Sequence, residues 1–289
     1  MTESPATGAV PAVQEVVYCR ATGADLVATL YVPAGPGPFP SVVNVHGGTW
    51  TGGDRFSNQE TAVFLASNGI AVLSVDFRMP PATRYPECVA DINASIRWLK
   101  QHAEEARTTP GAVGGIGFSS GGHQLMLAAL RPRDARYRAH ALAGDAGYDA
   151  RLAFVVLCWA VLDPLARYRM AVAEHKQALL DGHHAYWASE ADMDEGSPQR
   201  ILDRGEPVDL PPVLALQGDA DTNLGPHMAN RFGQAYRARG GDAEVAMVPD
   251  APHGFIRKDA SSLAARGASR QIADFIHRRT GLKIPEDTR

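Results

Sequence analysis

Short, almost wholly apolar runs alternate along this chain with segments of helical periodicity. Runs of this kind are typical of strands that are buried on both faces of a parallel sheet. The clearest helical segment follows Pro86, where Val89, Ile92, Ile96 and Leu99 form one apolar stripe. The alternation predicts an α/β fold with a mostly parallel central sheet and helices on both faces. The predicted core strands are residues 41–45, 70–75, 112–118, 154–161, 213–216 and 243–248.

The N-terminal part departs from this alternation. Residues 13–19 and 24–32 are rich in β-branched residues and are separated by a turn at Gly23, which predicts an antiparallel hairpin at the edge of the sheet. Residues 1–12 are rich in Pro, Ala and Gly and are predicted to be a mobile tail. No repeat or linker divides the remaining sequence, so residues 1–289 are predicted to form a single domain.

A second departure lies between two predicted core strands. Residues 162–212 contain no strand, and an excursion of this length predicts a structured insertion rather than an ordinary loop. Residues from Leu165 to Leu179 carry an apolar stripe at helical spacing, and Asp181 and Gly182 are predicted to end that helix. We interpret residues 162–212 as a small helical cap.

Composition excludes several classes of function. The chain has 28 basic and 32 acidic residues and no basic stripe, which argues against nucleic acid as a partner. No apolar run approaches the roughly 20 residues that span a bilayer, and the N-terminus lacks a secretory pattern. Cys19, Cys88 and Cys158 lie far apart in apolar runs, which is typical of buried thiols and predicts no disulfide framework. We therefore expect a cytoplasmic protein with no membrane partner.

The motif G-x-S-x-G at residues 117–121 lies between an apolar run and an apolar helical segment. A strand that turns abruptly into a helix exposes the residue at the tip of the turn, and small neighbours let the turn close. Ser119 at the tip is a candidate nucleophile. The amide of Ser120 falls at a helix N-terminus, where an N–H group has no partner within the helix and can bind an oxyanion.

A serine hydroxyl needs a base that is itself oriented by a third group. His253 follows the last predicted strand, at the edge of the sheet where reactive groups collect, and is the predicted base. Asp221 follows the preceding strand by a few residues and is the predicted orienting acid. Asp219, in the same loop, and Asp163, after an earlier strand, stay open as alternatives.

Residues 46–50 read H-G-G-T-W at the end of another predicted strand. The amides of Gly47, Gly48 and Thr49 are candidate donors to the oxyanion of a tetrahedral intermediate, together with that of Ser120. Trp50 is interpreted first as an anchor that packs this loop.

With these four segments the sequence resembles α/β-hydrolases of the esterase branch that includes hormone-sensitive-lipase-like, kynurenine-formamidase-like and small prolyl-oligopeptidase-like esterases. The matching motifs are H-G-G-T-W at 46–50, G-F-S-S-G at 117–121, Q-G-D-A-D at 217–221 and P-H-G-F at 252–255. The resemblance implies the α/β-hydrolase fold, a cap inserted late in the sheet and a serine esterase mechanism without metal or cofactor. Thr49 stands where lipase-like members have a third glycine, so the identity of the oxyanion donors stays open.

The predicted function is hydrolysis of small to medium acyl esters by a Ser-His-Asp triad through an acyl-enzyme. Amide or formamide hydrolysis by the same residues is the alternative, and a binding module without catalysis is the least favoured. The spacing of His183, His184, Asp145 and Asp149 fits no strong metal-ligand pattern. The oligomeric state stays open, with a homodimer as one alternative. Candidate walls of the substrate pocket are Trp50, Tyr148, Trp159, Tyr168, Tyr186 and Trp187.

Overall fold

The computed structural model describes residues 10–20 and 23–282, which form an eight-stranded sheet with helices on both sides. The strands are β1 (Ala12–Cys19), β2 (Leu26–Val32), β3 (Ser41–Val45), β4 (Ala71–Val75), β5 (Val113–Phe118), β6 (Val155–Cys158), β7 (Val213–Gly218) and β8 (Ala243–Val248). Their order across the sheet is β1-β2-β4-β3-β5-β6-β7-β8. Strand β2 is antiparallel to β1 and β4, and the other neighbours are parallel. The predicted mostly parallel sheet is confirmed.

Ten helices occupy the described part of the chain. They are α1 (Gln59–Ser67), α2 (Glu87–Gln101), α3 (Ser120–Leu130), α4 (Pro164–Ala173), α5 (Gln177–Tyr186), α6 (Glu190–Glu195), α7 (Pro198–Asp203), α8 (Met228–Ala238), α9 (Phe255–Lys258) and α10 (Leu263–Thr280). Helix α1 contacts α10, whereas α2 contacts α3 and α7 contacts both α3 and α8. Every residue of α3 is buried, as expected of a helix that is apolar nearly all round. Of the described helices, none has the length and apolarity to cross a bilayer.

Several strand boundaries differ from the prediction by one to three residues. The sixth strand ends at Cys158 rather than at residue 161, because Trp159 has a φ of 42° and cannot continue an extended strand. Strand β1 begins at Ala12, the last residue of the predicted tail, and residues 1–9 lie outside the described part of the chain. The three cysteines are buried, as their apolar neighbours predict.

Helices α4 to α7 lie between β6 and β7, within the segment predicted as a cap. The prediction that a helix ends at Asp181 and Gly182 is wrong. Helix α4 ends at Ala173 instead, and Gly182 lies inside the next helix, α5. A Cβ atom at Gly182 would lie 2.7 Å from the carbonyl oxygen of Thr49, so the glycine permits close approach of α5 to the 46–50 loop rather than ending the helix.

Helix α10 offers a matched test of the packing. Phe275 is fully buried and its ring lies edge-on to that of Phe154, whereas Leu263 on the same helix is 82% exposed. We expect Phe275→Ala to lower the free energy of unfolding by about 3–5 kcal/mol, since it leaves a cavity. Leu263→Ala should change it by less than about 0.5 kcal/mol. Urea unfolding followed by circular dichroism measures both, and equal effects would contradict this packing.

Candidate active site

Ser119 lies at the tip of a sharp turn between β5 and α3. Its backbone has φ 51° and ψ −120°, an unusual conformation for a residue that is not glycine. Gly121 allows the turn to approach β3, because a Cβ atom there would lie 2.6 Å from the carbonyl oxygen of Val45. The strand, the strained residue and the helix thus follow each other as the G-x-S-x-G pattern predicts.

Ser119, His253 and Asp221 are joined by two hydrogen bonds. The Nε2 atom of His253 is 3.0 Å from Oγ of Ser119, and its Nδ1 atom is 2.8 Å from Oδ2 of Asp221. The carboxylate can accept only from Nδ1–H, which leaves Nε2 of the neutral ring free to accept the serine proton. The Asp221 side chain is fully buried, whereas that of His253 is 21% exposed.

The other two candidate acids have different partners. Oδ1 of Asp219 accepts the N–H of Asp250 at 2.6 Å and thereby holds the loop that carries His253. Asp163 caps α4 by accepting the N–H of Ala166 at 3.0 Å, and it pairs with Arg200. Asp221 is therefore the one of the three that contacts the imidazole.

The loop of residues 46–50 adopts left-handed backbone conformations at three successive residues. The φ angles are 131° at Gly48, 54° at Thr49 and 64° at Trp50. The carbonyl of Gly48 accepts the N–H groups of Thr51 at 3.1 Å and Gly52 at 3.0 Å, which closes the loop. Gly47, Gly48 and Thr49 line the same cavity as Ser119, so this loop can present backbone donors beside the hydroxyl.

Trp50 ties this loop to α3. Its backbone N–H donates to Oγ of Ser120 at 3.1 Å, and its indole N–H donates to Nδ1 of His123 at 3.1 Å. Because Nδ1 of His123 accepts, its Nε2–H donates to the carbonyl of Gly196 at 2.8 Å, which connects α3 to the end of α6. Ser120 thus supports the loop through its hydroxyl, while its amide is the first N–H of α3.

The predicted pocket walls separate into two groups. Trp159 lines the cavity at Ser119, together with Phe118 and His253. The other five aromatic residues do not line this cavity. Trp50 packs against Tyr186 and Trp187 at the end of α5, and all three are buried. Tyr168 packs on His183 and His184, and Tyr148 lies half-buried in the loop before β6; neither lines the cavity.

The cavity at Ser119 is small and lies beside a larger groove. The cavity has a volume of about 170 Å³, whereas the groove has about 760 Å³. The two spaces are adjacent, because five residues line both: Ser57, Asn58, Phe118, Trp159 and Arg257. The groove extends between α1 and α9, with Phe56, Val63, Phe64 and Ile256 among its apolar walls.

Two buried histidines pack beside Trp50 and are held neutral. Burial lowers the pKa of His123 to about 4 and that of His183 to about 3. Neither ring nitrogen of His183 has a hydrogen-bond partner among the described residues. His184, next in the chain, forms a hydrogen bond with the hydroxyl of Tyr168, whereas Asp149 lies 3.5 Å from Nζ of Lys100. The side chains of His183, His184 and Asp149 thus have different neighbours.

Sequence reasoning missed Asn223 and Arg167. Asn223 lines the cavity, and its N–H donates to Oδ1 of Asp221 at 2.8 Å. Arg167 is buried in α4 and contacts Asn223. The position of Asn223 two residues after the acid was a usable signal, because a carboxylate often accepts the N–H two residues on. Nothing in the apolar stripe of α4 indicated that an arginine points inward.

Comparison with solved structures identifies the fold. The esterase LipW from Mycobacterium marinum superposes with a TM-score of 0.78 at 22% identity, over 93% of this chain and 82% of that chain. A thermophilic esterase from Thermogutta terrifontis, Est2 with propionate bound, gives a TM-score of 0.73 at 23% identity, over 97% and 98% of the two chains. With its strand order and parallel core, the chain has the α/β-hydrolase fold.

Within that fold, the chain belongs to the BD-FAE family, whose model matches residues 29–235. Esterase LipC of Mycobacterium tuberculosis is 28% identical over an alignment of 226 residues, and the match covers 75% of this chain and 53% of LipC. The chain spans about half the length of this relative.

The pH dependence of stability tests the environment of His183. The pKa of His183 is about 3 in the folded protein, below the ordinary value of 6.5. As the pH falls, His183 is therefore protonated in the unfolded chain before it is protonated in the folded protein. The free energy of unfolding should therefore fall as the pH falls from about 6.5 toward 3, by up to about 1.4 kcal/mol per pH unit for this group. We expect His183→Leu to remove that slope and the exposed neighbour variant His184→Leu to keep it. Urea titrations between pH 6.5 and 4.5 measure the slopes, and equal slopes for the two variants would count against a buried neutral His183.

Proposed function

We propose that this protein is a carboxylic ester hydrolase in which Ser119 is the nucleophile. The observation that carries the proposal is the pair of hydrogen bonds that joins Ser119 to His253 and His253 to Asp221. His253 accepts the serine proton as Oγ attacks the acyl carbon, and it then donates that proton to the departing alcohol. Asp221 holds the imidazole in the required tautomer and stabilises its protonated form.

The remaining steps use backbone groups and water. Amides of Gly47, Gly48, Thr49 and Ser120 are the proposed donors to the oxyanion, and loss of one such donor commonly costs about 3 kcal/mol. His253 takes a proton from a water molecule as that water attacks the acyl-enzyme. It then donates this proton to Oγ of Ser119 as the acyl–oxygen bond breaks and the acid leaves. None of these steps calls for a metal or an organic cofactor.

The volumes of the cavity and the groove favour an ester with a short acyl group. The volume of about 170 Å³ beside Ser119 is less than a quarter of the roughly 760 Å³ of the neighbouring groove. A short acyl group fits there, and the apolar groove can receive the other part of the ester. The names of LipC and LipW as esterases, and the propionate bound to Est2, agree with this proposal.

Amide hydrolysis is the second candidate and a non-catalytic role the third. An amine is a poorer leaving group than an alcohol. None of the residues that line the cavity at Ser119 carries a carboxylate that could bind a substrate amine. A binding module would not need His253 within 3.0 Å of the serine hydroxyl. Rates on acetyl esters, N-formyl-kynurenine and aminoacyl anilides separate the three.

Paired variants in one loop test the role of the acid. We expect Asp221→Asn to lower kcat on a nitrophenyl acetate by about 10⁴-fold, because the amide favours the wrong imidazole tautomer. Asp219→Asn changes the same loop without touching the imidazole and should retain activity within about tenfold. Ser119→Ala should abolish all but a trace. Substantial turnover by Ser119→Ala, or equal losses in the two aspartate variants, would overturn the proposal.

A further inference from the structure

Arg167 is a buried cation without a carboxylate partner. It lies on α4 with a relative exposure of 1%, and no acidic oxygen of the described residues is within ion-pair distance of its guanidinium. Its Nη1 atom has no hydrogen-bond partner in that part of the chain. Burying an arginine in this way is costly, so its other contacts must compensate.

The guanidinium holds the loop that carries the acid. Nε of Arg167 donates to the carbonyl oxygen of Asn223 at 3.2 Å, and Nη2 donates to Oδ1 of the same residue at 2.6 Å. The N–H groups of Asn223 and Leu224 both donate to Oδ1 of Asp221, at 2.8 Å and 3.2 Å. A two-point contact fixes the orientation of Asn223, and Asn223 in turn fixes the carboxylate that orients His253.

The same guanidinium also touches the second loop of the site. Its Cζ atom lies 5.4 Å from the centre of the Trp50 ring, within the range of a cation–π contact. The N–H of Trp50 donates to Oγ of Ser120, next to the nucleophile. One side chain from the segment between β6 and β7 therefore contacts both the acid loop and the 46–50 loop.

The charged and titratable groups near Arg167 come from three directions. Asp221 acts on it from the acid loop, His183 faces it from α5, and His123 faces it from α3. Burial keeps both histidines neutral above about pH 4, since it lowers the pKa of each. Asp221 is thus the one of these three groups whose negative charge attracts the guanidinium of Arg167.

We propose that Arg167 is a positioning residue that fastens helix α4 to the Asp221 loop and to Trp50, so that the inserted helices hold the catalytic groups in register. The inference rests on the proposed ester hydrolysis. It assigns to the segment between β6 and β7 a role in the geometry of the reacting groups, in addition to any contact with substrate.

Two substitutions separate the charge of Arg167 from its two-point contact. Arg167→Lys keeps the charge but cannot donate from two fixed nitrogens, so kcat on a short nitrophenyl ester should fall about tenfold while KM changes less than about threefold. Arg167→Met removes the charge as well as both donors, so kcat should fall at least as far as in Arg167→Lys, again with KM within about threefold of the wild-type value.

Arg169→Met is the matched control. Arg169 lies on the same helix, is exposed, and pairs only with Glu190 in the described residues, so its loss should leave kcat and KM unchanged. Asn223→Ala removes the side-chain acceptor of Arg167 and should lower kcat in the same direction. If the two residues act together, the variant with both Arg167→Lys and Asn223→Ala should lose little more than the worse single variant.

The outcomes are distinguishable. Circular dichroism and thermal unfolding establish that each variant is folded; should Arg167→Met not fold, Arg167→Lys, Asn223→Ala and their combination decide by the kcat-against-KM split. Losses that multiply in the double variant, or a kcat of Arg167→Met equal to that of Arg169→Met, would overturn the positioning role while ester hydrolysis stands. Wild-type protein that hydrolyses no ester and takes no phosphonate label at Ser119 would refute the proposed function, and the positioning role with it.

Discussion

The strained backbone of Ser119 is the constraint on which the arrangement of the site depends. A residue other than glycine in such a conformation costs about 1–3 kcal/mol, so the surrounding structure must hold it. Three backbone hydrogen bonds do so. The N–H of Ser119 donates to the carbonyl of Cys158 at 2.9 Å, and its own carbonyl accepts from His123 at 3.2 Å and Val161 at 3.1 Å. The segment that follows β6 thus supports the turn after β5, so the strained conformation of Ser119 depends on the neighbouring parallel strand.

Trp50 connects this turn to the helices that follow β6. Its backbone is bonded to Ser120, its indole to His123, and its faces are covered by Tyr186 and the guanidinium of Arg167. Most of the aromatic surface of the α4 to α7 segment is therefore used in packing. The larger groove is lined instead by residues from α1, α9 and the strand ends, and none of the three aromatic residues Trp50, Tyr186 and Trp187 lines it.

Much of the fold and the central residues of the site could be predicted from the sequence. Buried parallel strands produce short apolar runs, and the loops at their carboxyl ends must converge, so the positions of Ser119, Asp221 and His253 in the chain already placed them at one edge. Gly182 was misread because a glycine has the same local signal whether it ends a helix or permits close packing. The carbonyl of Thr49 that it faces is distant in sequence.

The same limit applies to the aromatic residues and to Arg167. Periodicity tells which residues share one face of a helix, but not which distant element covers that face. Tyr186 and Trp187 could have lined a pocket or filled a core, and only their contact with Trp50 distinguishes the two. Likewise, Arg167 is one residue from Tyr168 on α4, and its contact with Asn223 depends on how α4 lies against the loop after β7.

The most direct test of the central claim is to trap the acyl group on the enzyme. Rapid acid quenching during turnover of a nitrophenyl ester, followed by peptide mapping with mass spectrometry, locates any covalent intermediate. The mechanism predicts one acyl group, attached to Ser119, that forms and disappears fast enough to account for kcat. An acyl group on another residue, or turnover at full rate without any acylated Ser119, would contradict it.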